Sequence, residues 1–396
     1  AQAFLAKVAR APPRPPALLL PVDRLLPFRH FHSHPARRPC LLALCLRASP
    51  ATAGDGEVLR WPEEGRIPDI VVDADGVVHM AYGKEKDGYY VRAERAGATW
   101  SAPVRVNSAA GSVAVGRERG PRLALGKAGT LHALWQDDDD LGYARSTDGG
   151  RTWSPQRSLS DRAGGADVPT IAADGKGKVW AVWIDGRDGE DARNPSSGSI
   201  YLARSDDDGE TFGAPYRAEY AYEGRACACC ALDSTVGSDG RLRIVFRGAL
   251  KGIRDVWLLE GDAAGARFQS IQVSNDDWRL DQCPMDGPIV AVEDGSRKIA
   301  AAWRSRDEVY WTGSPDGRRF AGSQAPAVSG PSRTYPSIRF GKGGSFLFAW
   351  VEGMDVVWEL HDRTGKLEKA GRANGLPHRS RYAIVAGSDG VFHLVF

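Results

Sequence analysis

The sequence predicts an all-β fold, a β-propeller of four-stranded blades, on three observations. One hairpin pattern, a strand, a Gly-containing turn and a second strand ending on an aromatic residue, runs from Pro68 to Tyr82. It recurs at Pro121 to Trp135, Pro169 to Trp183, Leu232 to Phe246, Pro288 to Trp303, Pro336 to Trp350 and Tyr382 to Phe396. Its starts lie roughly 46 to 63 residues apart, close to the roughly 40 to 50 of a propeller blade. Two octapeptides, Ser146 to Trp153 and Ser205 to Phe212, share the pattern Ser-x-Asp-x-Gly-x-Thr-aromatic. No stretch of convincing length has the apolar period of an amphipathic helix. Seven hairpins favour a seven-bladed ring, with a six-bladed ring and one outlying hairpin as the alternative.

In chain order, residues 1–53 lack the repeat and are rich in Pro, Arg and Leu. Arg37-Arg38 precede an apolar run from Cys40 to Leu46, and Ala51-Thr52-Ala53 has the small-x-small form of a signal-peptidase site. The run is too short to span a bilayer, so a cleaved leader and an exported protein, periplasmic or extracellular, are expected. A lipoprotein anchor at Cys45 is not expected, because Leu44 is too large for the position before the modified Cys. Residues 54–396 are expected to form the propeller, with Glu57 to Trp61 as outer strand for the C-terminal hairpin. Second strands such as Val77 to Tyr82 and Lys178 to Trp183 are near-continuous apolar runs, suited to burial on both faces. A third strand follows, as at Tyr201 to Arg204, then the octapeptide turn, then a fourth strand such as Val104 to Asn107. In the octapeptide the Asp and Ser side chains fold back on backbone amides, Gly supplies a positive φ and the aromatic ring plugs a hydrophobic layer. Weaker relatives occur at Gly97 to Trp100 and Ser314 to Phe320.

Forty-six glycines and a mean hydropathy of −0.36 fit a turn-rich packed domain. A net charge of +2 implies no nucleic-acid or membrane-surface partner. Asp137 to Asp140 is read as a solvated turn, with a calcium site as the alternative. His79, His132 and His393 hold the same place in three hairpins and are read as a packed repeat position rather than metal ligands. Of six cysteines, Cys40 and Cys45 fall in the leader. Cys227, Cys229, Cys230 and Cys283 precede the fourth and fifth hairpins, which places them at one end of adjacent blades. Two disulfides are expected in an oxidising compartment; a thiolate site for copper or zinc is the alternative, and no other cofactor is expected.

The octapeptides resemble the Asp-box, or bacterial neuraminidase repeat, of the sialidase superfamily. That resemblance implies a six-bladed catalytic fold in which three Arg side chains grip a substrate carboxylate, for which the guanidinium fork is suited. Arg66 in Arg66-Ile67-Pro68 matches the first, Arg247 the second, and Arg304 or Arg306 the third. Asp87 matches the acid/base, Tyr335 in Tyr335-Pro336-Ser337-Ile338 the nucleophile, and Glu352 a residue that steadies the first Arg. The Glu that takes the Tyr proton is replaced by Ala231, with Asp233 two residues on as a substitute from the same strand face. Three functions follow: an exported propeller binding an acidic ligand, glycan or protein; an exo-α-sialidase or related glycosidase with a shifted base; or a metal- or redox-linked envelope protein organised by the cysteines. The missing Glu places binding first.

Overall fold

The computed structural model describes residues 42–47, 57–60, 65–94, 99–138, 140–161, 165–189, 196–262, 265, 267–328, 330, 333–375, 382–386 and 391–395. Six antiparallel sheets are built from consecutive stretches of chain. Arg66–Val72, Val77–Lys84, Asp87–Glu94 and Val104–Arg105 form blade 1. Arg122–Leu125, Leu131–Asp137, Asp140–Ser146 and Arg157–Ser158 form blade 2. Blade 3 comprises Ala166–Ala173, Val179–Asp185, Ser197–Ser205 and Tyr216–Arg217, with Ala226–Cys227 also paired to its third strand. Blade 4 comprises Asp233–Val236, Leu242–Arg247, Val256–Gly261 and Phe268–Gln272. Blade 5 has three full strands, Ile289–Val292, Ile299–Ser305 and Glu308–Ser314, and an isolated bridge from Trp311 to Gln324. Blade 6 comprises Arg333–Phe340, Phe346–Glu352, Asp355–His361 and Leu367–Asn374.

A composite sheet joins both ends of the sequence. Ala383–Ala386 and Val391–Val395 form its hairpin, Leu42–Arg47 pairs with the latter, and Glu57–Arg60 lies outermost. The expected donor is therefore present, but one place further out. The strand next to the hairpin comes from the apolar run assigned to the leader, because a short apolar segment suits a strand as well as it does a signal core. Cys40 and the Ala51-Thr52-Ala53 site lie outside the described residues.

The innermost strands touch in cyclic order from blade 1 to blade 6, then through Ala383–Ala386 back to blade 1. Hydrophobic layers fill the spaces between neighbouring sheets. The aromatic residues that end the second strands sit in these layers; Tyr82, Trp135, Trp183, Phe246, Trp303 and Trp350 are all buried. Cross-links tie neighbouring inner strands, Leu123 N to Asp69 Oδ2 at 2.8 Å and Val290 N to Asp233 Oδ2 at 3.0 Å, beside a channel of about 420 Å³.

The octapeptide turns close as their chemistry requires. Ser146 Oγ donates to Asp148 Oδ1 at 2.8 Å and accepts from Gly150 N at 2.9 Å, while Asp148 accepts from Thr152 N at 3.0 Å and from Thr152 Oγ1 at 2.6 Å. Ser205, Asp207, Gly209 and Thr211 repeat that network. Each turn docks on the preceding blade. Trp153 packs edge-on against Tyr90 and Phe212 against Tyr143, and the two Tyr hydroxyls donate to the carbonyls of Gly149 and Gly209. His79 Nδ1 and His132 Nδ1 lie 2.7 and 2.8 Å from these hydroxyls. Burial lowers the pKa of both rings, His132 to about 4, and His132 Nε2 lies 3.4 Å from Asp208 of the next blade. Asp140 is buried and accepts from Leu141 N and Ser158 Oγ, which makes it an anchor of the acidic turn rather than a solvated residue.

Candidate functional site

At the end of the ring where the inner strands begin, three of those strands start with the same distortion. The pairing slips between Arg66 and Asp69, between Asp167 and Thr170, and between Thr334 and Ser337. The residue before each Pro, Ile67, Val168 or Tyr335, has a φ of 52°, 44° or 50°. Left-handed backbone on β-branched or bulky residues costs free energy and persists only where surrounding packing imposes it. Ile67 is fully buried, and a Cβ on Gly120 would lie 2.8 Å from its own Cβ, so that approach requires glycine.

The centre of this end is a pair of buried carboxyls that sequence reasoning missed. Glu118, from the loop entering blade 2, accepts from Ala231 N at 2.8 Å and from Gly287 N at 2.9 Å, and so ties the starts of blades 4 and 5. Asp286 is buried beside it; its Oδ2 accepts from Tyr335 N at 3.1 Å, and its Oδ1 has no partner among the described residues. Burial, and next the charge of Glu118, push the Asp286 pKa up to about 7. A carboxyl in this state can give or take a proton near neutrality. The sequence signal was slight: Glu118 lies between two Arg and two Gly, and Asp286 in a Met-Asp-Gly-Pro turn.

Three expected site residues meet at Asp286. Arg304 Nη1 lies 3.8 Å from its carboxylate and Tyr335 donates its backbone N–H to it. Arg247 donates to the carbonyls of Asp286, Arg254 and Arg304, and both guanidiniums lie over the Trp278 ring. Arg247 is buried, with its donors largely taken by carbonyls; it holds the Arg304 backbone in place rather than presenting a fork to a ligand. Arg306 has a φ of 59° and donates to the Asp276 carbonyl, and Arg66 is exposed at the start of blade 1.

The other expected residues lie elsewhere. Asp87 accepts from Asn107 Nδ2 at 2.6 Å and Gly111 N at 2.8 Å, which fixes the loop after blade 1. Asp233 lines the channel, bound to Val290 N and 3.8 Å from Arg339. Glu352 is buried within blade 6 and accepts from Arg333 and Arg372; its paired cations are these, in place of Arg66. Ala231 and Gly287 are pressed together, since a Cβ on Gly287 would run into the Ala231 backbone, and Ala231 itself is buried. The carboxylate nearest to position 231 is supplied across the ring, by Glu118.

The four cysteines converge where blades 3, 4 and 5 meet. Cys229 and Cys283 are joined as a disulfide with Cα atoms 6.4 Å apart, while Cys227 and Cys230 are buried free thiols, so one disulfide stands where two were expected. Their Sγ atoms lie 3.4 and 3.5 Å from Cys283 Sγ. A hydrogen bond from Cys230, then the charges of Arg254 and Arg247, hold the Cys227 pKa low, whereas burial raises that of Cys230.

No protein-family model matches the sequence, and no curated protein matches it. Solved structures do. A leech intramolecular trans-sialidase, complexed with 2,7-anhydro-Neu5Ac, aligns over 91% of this chain and 89% of its own at 10% identity and a TM-score of 0.50. An α-L-arabinanase of Penicillium chrysogenum aligns over 85% of this chain and 99% of its own at 14% identity and a TM-score of 0.48. A Trypanosoma rangeli sialidase aligns over 70% of this chain and 52% of its own at 13% identity and a TM-score of 0.48. Likeness at such identity is one of fold, and function has to be argued from the site. The chain has the fold of the sialidase-like β-propellers.

Proposed function

We propose that this chain is an exported propeller that recognises an acidic ligand, a sialic-acid-like glycan or an acidic protein, at the end of the ring where the inner strands begin. The observation that carries the proposal is the meeting of Arg247, Arg304 and Tyr335 at Asp286. Arg304 is the part-exposed cation of that group, and Arg66 and Arg306 stand on the same end as further donors. Below about pH 7 Asp286 is largely protonated, which leaves the exposed Asp307, 3.6 Å away, as the carboxylate with which an external one would compete for Arg304. Arg247 acts as a positioning residue, through the Arg304 carbonyl.

The test is calorimetric titration with N-acetylneuraminic acid and 3′-sialyllactose against neutral lactose. Arg304→Ala is expected to weaken the acidic sugars roughly ten- to a hundredfold, as a lost charge-assisted hydrogen bond of about 1.5–3 kcal/mol would. Equal binding of lactose, or an unchanged affinity in a folded Arg304→Ala variant, would refute the reading.

A second reading, glycoside hydrolysis with Tyr335 as nucleophile, is supported by a carboxyl titrating near neutrality beside Tyr335. It requires the base to be Glu118 or Asp286 rather than Asp233, which is held to Val290 and Arg339. Turnover of a fluorogenic sialoside that disappears in Tyr335→Phe and in Asp286→Asn, but survives Asp233→Asn, would establish it.

A further inference from the structure

The structure assigns the four cysteines Cys227, Cys229, Cys230 and Cys283 to a thiolate site for a soft metal ion, zinc(II) or copper(I), formed when the Cys229–Cys283 disulfide is reduced. Three of the four sulfurs, those of Cys227, Cys230 and Cys283, already lie within 4.8 Å of one another, and the fourth is bonded to the third. Four thiolates around an ion at about 2.3 Å stand roughly 3.8 Å apart at tetrahedral geometry. The observed separations of 3.4 and 3.5 Å from Cys283 Sγ need only tenths of an ångström of adjustment to reach that spacing. The donor set is all sulfur, which selects soft or borderline d¹⁰ ions over magnesium or calcium.

A second feature points the same way. Arg254 is buried, and while its Nε donates to the Leu280 carbonyl at 3.1 Å, its Nη1 and Nη2 are buried without a hydrogen-bond partner among the described residues. Arg247, equally buried, is spent on backbone carbonyls. Gly248, next to Arg247, bridges to Ala226, next to Cys227, and Arg247 Nη1 donates to the Arg254 carbonyl at 2.8 Å, which brings both cations to the cysteine segment. A buried guanidinium with two unpartnered nitrogens, that of Arg254, is an expensive arrangement unless a negative charge is placed beside it. A tetrathiolate zinc or copper centre carries a net charge of about −2 or −3 and supplies it.

The chemistry balances with a thiol reductant. Two equivalents of thiol reduce the Cys229–Cys283 bond, yielding two cysteine thiols and one external disulfide. Metal entry then displaces one proton from each sulfur that it binds, so affinity rises with pH. The cluster thus has two states, a disulfide with two thiols when oxidised and a metal centre when reduced. The acidic-ligand reading at the same end of the ring does not depend on it.

The experiment uses the full chain in a Cys40→Ser/Cys45→Ser background, so that only four cysteines remain. After reduction with a non-chelating phosphine, it is titrated anaerobically with zinc(II), and separately with copper(I), against a chromophoric chelator. One equivalent per chain is expected, with four thiols protected from alkylation and an upward shift of the thermal midpoint. Cys227→Ser should weaken binding at least a hundredfold. Arg254→Met, which keeps all four sulfurs, should weaken it about tenfold and keep the stoichiometry, a readout that separates charge compensation from loss of fold. Failure of the reduced, folded protein to bind either metal, or four thiols alkylated as fast with metal as without, would overturn the assignment. So would two disulfides that withstand the reductant in the folded state.

Discussion

Replacing Glu118 by Gln isolates the buried carboxyl pair. Asp286 titrates near 7 instead of the usual 3.8, a gap of about 3 units, each equivalent to about 1.4 kcal/mol. An acid whose folded pKa is raised binds more protons folded than unfolded between about pH 4 and 7. Stability therefore falls as pH rises through that window, by about 4 kcal/mol; the penalty is absent below it and fully present above it. Glu118 contributes to that penalty by its charge and also accepts two buried N–H groups, at 2.8 and 2.9 Å. Glutamine keeps one acceptor oxygen and turns an NH₂ toward the other N–H, which costs about 1–3 kcal/mol at every pH. At pH 5 Asp286 is neutral and that cost stands alone; at pH 8 relief of the repulsion offsets part of it. Urea unfolding at the two pH values should give a destabilisation of about 1–3 kcal/mol at pH 5 and at least about 1 kcal/mol less at pH 8. Equal destabilisation, or a larger one at pH 8, would refute the coupling of Glu118 to Asp286. Asp286→Asn provides the control, since it should remove the pH window itself.

Two further outcomes test the turns. Gly209→Ala places a Cβ against the Tyr143 hydroxyl and His132 at a φ of 76°, so a loss of about 2–5 kcal/mol is expected in chemical denaturation. Gly240→Ala has a similar φ of 73° with open space around it and should cost only the backbone part, about 1–2 kcal/mol. Asp148 and Asp207 have pKa values held down to about 2, first by the Thr152 and Thr211 hydroxyls. A depressed folded pKa gives stability that is present above about pH 4 and lost as pH falls toward 2, so the Asp148→Asn/Asp207→Asn variant should show a flatter acid-unfolding limb.

Much of the architecture was legible because its rules are local. A hairpin needs two apolar strands and a turn, and a box needs Ser, Asp, Gly, Thr and an aromatic within eight residues; both were read in windows shorter than one blade. The end at which the cysteines gather followed from the same repeat, since each segment precedes an inner strand. What stands beside what across blades was beyond such windows. Glu118 reaches Ala231 and Gly287 over separations of 113 and 169 residues, along a loop path that no strand period specifies. Arg247, expected to meet a ligand, turns to three carbonyls, two of which, those of Asp286 and Arg304, come within reach only when blades 4 and 5 pack. Glu352 likewise found Arg333 and Arg372 within its own blade. The sequence by itself determined the repeat, the turns and the residue types at the mouth of the ring. Which strand stands beside the last hairpin, which carboxylate faces position 231 and which cysteines bond were decided by the tertiary structure, because each depends on the closure of a ring whose contacts are distant in the chain.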